Sequence, residues 1–65
     1  MNFDLIEKKR IAKKLSVSAL CELAGIDRST YYNIKDNPDS ATFSTATKLV
    51  QALDLNVIEK SQVFN

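Results

Sequence analysis

The chain has 65 residues, 45% of them hydrophobic, which supports one small folded domain rather than disorder. One Cys excludes an internal disulfide, the absence of His removes the usual zinc partner, and no apolar run exceeds three residues, so a membrane span and a signal peptide are not expected. The net charge of +1 conceals an asymmetry: residues 1–14 carry five basic and two acidic groups, a net +3, whereas residues 15–65 carry four basic and six acidic groups, a net −2.

One Gly and one Pro punctuate the sequence, both between segments of helical periodicity, and strict alternation is scarce before the last ten residues. The chain is therefore predicted to be all-α. A first helix is expected from about Phe3 to Lys13, with Phe3, Leu5, Ile6 and Ile11 inward. Ser16 is the natural N-cap of a second helix, because its hydroxyl can accept from the free amides of the next turn. Val17, Leu20, Cys21 and Ala24 then give one apolar stripe at i, i+3, i+4 and i+7. Gly25 ends that helix, since only Gly turns left-handed without a Cβ penalty.

Ile26 fills the turn, and Asp27 is predicted to cap a third helix from Arg28 to about Lys35, with Tyr31 and Ile34 inward. Asn37-Pro38 closes it, because the residue before proline is pushed to extended geometry. Asp39, Ser40 and Ala41 read as a polar connection. Thr42 caps a fourth helix whose inner face is expected to carry Phe43, Ala46, Leu49, Val50 and Leu53. The tail, Leu55 to Phe64, admits two readings: a short helix from about Asn56, or an extended arm with Val57, Glu59, Ser61 and Val63 on one side. The helix is preferred, because an unpaired strand needs a partner.

The order from Leu15 to Ile34 is what a helix-turn-helix requires: a short helix with a small residue, Cys21, four before the glycine; then Gly25; the aliphatic plug Ile26; and a second helix anchored by Tyr31 and Ile34. An ordinary helical hairpin is the plainer alternative. The segment resembles the Xre-type, lambda-repressor-like regulators of bacteria, phages and mobile elements. The resemblance covers about Ile6 to Leu53, through Leu15-Ser16, Gly25-Ile26, Arg28-Ser29-Thr30, Ile34 and Ala52-Leu53. It implies a lambda-repressor-like bundle of four to five helices, residues 1–65 forming a single DNA-binding domain, and a homodimer on a palindromic operator. It also places the third helix in the major groove of double-stranded DNA. The chain departs from the family at Val17, where Gln is usual, at Cys21 in place of Ala, at Lys9 in place of Leu, and at Asp27 in place of a serine cap.

The outer side of the third helix supplies the candidate base-reading residues Arg28, Ser29, Thr30, Tyr32 and Asn33. The Arg28 fork can take guanine O6 and N7 together, or pair instead with Asp27 or a phosphate; Asn33 can bond both N6 and N7 of adenine. Tyr32 can meet a thymine methyl or a phosphate. Lys13, Lys14, Ser16, Ser18 and Lys35 are the candidate phosphate contacts. In the tail, Val57, Ile58, Val63 and Phe64 form a candidate dimerisation surface, the alternative being packing on the first helix of the same chain. No catalytic residues, metal ligands, cofactor or small-molecule ligand are expected: there is no glycine-rich phosphate loop and too little mass for a typical pocket. A cytoplasmic transcriptional regulator, and more narrowly a repressor, is the expected function. The competing expectation is a protein-interaction module on the same fold, an antitoxin-like or inhibitor protein of a mobile element, suggested by Val17, the low net charge and the acids Asp27, Asp36 and Asp39.

Overall fold

The computed structural model describes residues 1–64. Five α-helices follow one another: α1 (Phe3–Ala12), α2 (Val17–Ala24), α3 (Arg28–Asp36), α4 (Phe43–Ala52) and α5 (Val57–Phe64), with a 3-10 turn at Pro38–Ser40 between α3 and α4. No strand occurs among the described residues, so the tail takes the helical alternative. The second helix packs on α3 and α4, while α5 closes the bundle against α1 and α4.

Four of the five helix starts have a local side-chain cause. Asn2, Ser16 and Thr42 accept from the amides of Leu5, Ala19 and Thr45 at 3.3, 3.0 and 3.1 Å. Asn56 and Glu59 form a reciprocal pair: the Glu59 amide donates to Asn56 Oδ1 at 2.8 Å, and the Asn56 amide to Glu59 Oε1 at 3.2 Å. Asp27 occupies the N-cap of α3, but its side chain makes no capping hydrogen bond, which corrects the expected role of its carboxylate.

Three of the helix exits share one grammar. Lys14, Gly25 and Asp54 adopt left-handed backbone, with φ of 58°, 72° and 53°. In each, the amide of the next residue reaches back to the last turn: Leu15 to the Arg10 carbonyl at 3.1 Å, Ile26 to Cys21 at 3.0 Å, Leu55 to Val50 at 3.3 Å. Leu15, Ile26 and Leu55 are each a half-buried aliphatic packed against the core. The residue after each is the next N-cap: Ser16, Asp27 and Asn56. Left-handed residue, aliphatic plug and cap thus recur at three corners.

The core consists of Phe3, Ile6, Leu20, Cys21, Ala24, Tyr31, Ile34, Leu49, Val50, Leu53 and Val63, with Ala46 also buried. Phe3 meets Tyr31 edge-on at 5.0 Å between centroids. Three expectations fail. Ile11 and Phe43 are exposed, because the apolar stripes of α1 and α4 are narrower than their sequences suggest. Val63 is fully buried in its own chain, facing inward from α5, and its carbonyl accepts from the Asn2 amide at 2.8 Å. A residue in the core cannot line a dimer surface, so Val63 is removed from that set.

Candidate nucleic-acid interface

The tight turn after α2 and the two buried anchors of α3 fix which side of α3 meets solvent. Tyr31 and Ile34, three apart on one face, sit in the core. Arg28, Ser29, Tyr32, Asn33, Lys35 and Asp36 are consequently exposed. Ser29 and Asn33 share one edge at i, i+4, and Arg28 and Tyr32 share the next. Thr30 lies half-buried toward Ile34, which leaves it at the margin of this surface rather than on it. Tyr32 stands edge-on to Tyr31, 6.0 Å between centroids, so its ring is steadied from below while half of it remains exposed.

A polar network sets the depth and rotation of α3. The Tyr31 hydroxyl donates to Glu7 Oε1. Arg10 spans the same carboxylate with Nε and Nη2, both at 3.1 Å, and its Nη1 donates to the Leu15 carbonyl at 2.7 Å. Two residues of α1, Glu7 and Arg10, therefore tie the back of α3 to the corner that leads into α2. The Arg10 hydrogen bonds hold the Glu7 carboxyl below its ordinary range, and burial pushes the Tyr31 hydroxyl upward. This network had a weak signal in the sequence: Glu7 and Arg10 are three apart on a helix, but nothing local points Tyr31 at them.

The basic cluster of residues 8–14 is partly consumed by the fold. Arg10 is committed to Glu7, and Lys9, which stands where the family usually has Leu, pairs with Glu59 of α5. Lys13 lies one turn beyond Lys9, close enough to Glu59 to help lower its carboxyl pKa. Lys8, Lys13 and Lys14 stay exposed. Lys35 is exposed too, on the α3 edge where its charge is felt by Glu7.

At the start of α2, the Ser16 hydroxyl oxygen is taken by the Ala19 amide, which leaves its proton free for an outside acceptor. The amides of Val17 and Ser18 belong to the first turn, which an α-helix leaves without carbonyl partners. This end can hold an anion such as a phosphate. Ser18 is exposed, and its Oγ accepts from Arg28 Nη1 across the turn at 3.5 Å. The two helices of the motif thus present one continuous polar surface. Cys21 lies beneath it, buried, its thiol pushed up by desolvation. Among the described residues, no cluster of three or more His, Cys, Asp or Glu could hold a metal, no pocket opens, and no helix is long and apolar enough to cross a membrane.

A short helix, a glycine corner and a second helix with a buried back and a free polar front define a helix-turn-helix DNA-binding protein. The helix-turn-helix family profile matches residues 6–60, and the chain belongs to that family, the Xre and lambda-repressor-like regulators. No curated protein and no solved structure gives a significant match.

Proposed function

We propose that the chain, as a single domain, is a sequence-specific transcriptional repressor that grips a palindromic operator as a homodimer. The observation that carries this reading is the α3 front: a polar face led by Arg28 and Asn33, backed by two fully seated anchors. Arg28, Ser29, Tyr32 and Asn33 read base edges, with Thr30 at the margin; Lys14, Ser16, Lys13 and Lys35 hold phosphates on either side. The second copy covers the exposed apolar residues at the C-terminal end. Val57 and Ile58 are 84% and 71% exposed, and Phe64 stacks on the 75%-exposed Phe43 at 5.2 Å between centroids. Val57 and Phe64, seven apart, lie on one side of α5. Four such side chains supply less than the roughly 800 Å² per partner of a standard interface, so the free dimer is weak and simultaneous binding of two half-sites completes it.

The test is a mobility-shift titration with the DNA flanking the gene against random duplex of equal length. Preference for one site with two half-sites spaced roughly 34–36 Å apart supports the reading; equal affinity for both duplexes at low salt rejects it. A second reading, an interaction module with little operator binding, draws on the acids around α3, Asp27, Asp36 and Asp39, and on the internal pairing of Lys9 and Arg10. A stable heteromeric partner together with no DNA shift favours it.

A further inference from the structure

Resting on the reading of Arg28 as a base contact, we infer that Ser18 is a positioning residue that presets the Arg28 guanidinium for side-on recognition of a guanine, and is not primarily a phosphate contact.

Two observations lead there. Ser18 lies in the first turn of α2 and Arg28 in the first turn of α3, ten residues apart, yet the corner at Gly25-Ile26 brings Ser18 Oγ to 3.5 Å from Arg28 Nη1. Among the described residues, Ser18 is the one polar side chain that Arg28 meets: Asp27, its neighbour in sequence, forms neither a hydrogen bond nor an ion pair with it.

The chemistry then selects an edge. A guanidinium offers five N–H donors in a fixed plane. With Nη1 directed at Ser18, Nε and Nη2 remain as an adjacent parallel pair, which matches the O6 and N7 acceptors of guanine. Holding a long, exposed side chain in one rotamer before DNA arrives removes part of its ordering cost on binding. The Ser18 hydroxyl proton points away from the contact it accepts and stays available to water or a backbone oxygen.

The experiment compares wild type, Ser18→Ala, Ser18→Thr, Arg28→Ala and the Ser18→Ala/Arg28→Ala double variant. Ala at this exposed helical position leaves the fold intact. In the free protein, side-chain ¹⁵N relaxation of Arg28 Nε reads its order directly. Lower order in Ser18→Ala, restored in Ser18→Thr, supports the inference; equal order in all three overturns it, whatever the protein does on DNA. On operator duplex, Ser18→Ala should lose about 3- to 10-fold at the one base pair that Arg28 reads, with non-specific affinity unchanged and no further loss in the Arg28→Ala background. A loss uniform across sequences and additive with Arg28→Ala makes Ser18 a phosphate contact and overturns it. Wild type without sequence preference rejects Arg28 as a base contact altogether, and the relaxation result still decides whether Ser18 holds it.

Discussion

Lys14, one of the proposed phosphate contacts, sits at a position that serves the fold badly. Its left-handed backbone, φ 58°, is a geometry that costs a residue with a Cβ about 1 kcal/mol relative to Gly. Asp54 carries the same cost at the exit of α4. Lys14→Gly and Asp54→Gly should each raise stability by about 1 kcal/mol, or roughly 4–8 °C in Tm for a domain of this size, read by thermal denaturation. Only Lys14→Gly should also weaken DNA binding and flatten its salt dependence, by about 0.9 in the slope of log K against log salt. Gly25 marks the converse case: a Cβ there meets nothing within 4 Å, so its substitution is opposed by the backbone alone. Glu7 makes a prediction about acid. Its carboxyl sits below the ordinary 4.5 because Arg10 stabilises the charge, so its contribution is complete above 4.5 and is lost as pH falls through the lower, folded-state value. Denaturant titrations should find Glu7→Gln less stable than wild type at pH 7, with the gap closing progressively as pH falls below 4.5. Burial raises the Tyr31 hydroxyl above its ordinary 10, so the stability it contributes is lost only as pH rises past that value.

Among the elements, α5 divides into a structural side and a free side. Val63 is core, whereas Val57 and Ile58 face solvent. Val63→Ala should therefore cost about 1–3 kcal/mol in urea denaturation with the monomer as the unit that unfolds. Ile58→Asp should leave that stability within about 0.5 kcal/mol while lowering the dimer fraction in sedimentation at concentrations on the order of 100 μM. Equal effects of the two on stability would show that the free side is not free. The helices, their order and the Gly25 corner are legible in the sequence because each rests on local rules: a cap, a stripe, a left-handed residue. The corners at Lys14 and Asp54 are not, since neither residue advertises positive φ, although the plug-and-cap pairs Leu15-Ser16 and Leu55-Asn56 repeat Ile26-Asp27 and carry that signal in retrospect. Asn56 and Glu59, three apart, likewise encode the start of α5. The misplaced residues, Phe43, Ile11 and Val63, all depend on which neighbour covers a helix edge, and that is decided between elements far apart in the chain.

At the scale of the molecule, the fold arranges charge more than it accumulates it. A 26 × 25 × 17 Å bundle with a net charge of +1 has little long-range attraction for a polyanion. Two of its cations, Lys9 and Arg10, already have carboxylate partners. On the proposed reading, binding comes from a few well-placed groups around α2 and α3, which favours discrimination between sequences over bulk affinity. The same division explains what was readable of the interface: a polar α3 front follows from two buried anchors, but the Tyr31–Glu7–Arg10 tie and the Ser18–Arg28 contact join residues of different helices and emerge only once those helices are packed.

The presentation of α3 to the major groove is tested most directly by selecting bound sites from a random duplex pool with wild type, Arg28→Lys and Asn33→Ala. Wild type should enrich a symmetric site, and each variant should relax preference at one separate base pair per half-site, a change worth about 1–3 kcal/mol of discrimination, while the other positions keep theirs. Enrichment that is identical in all three proteins, or no enrichment by wild type, would contradict the assignment of that helix as the reading element.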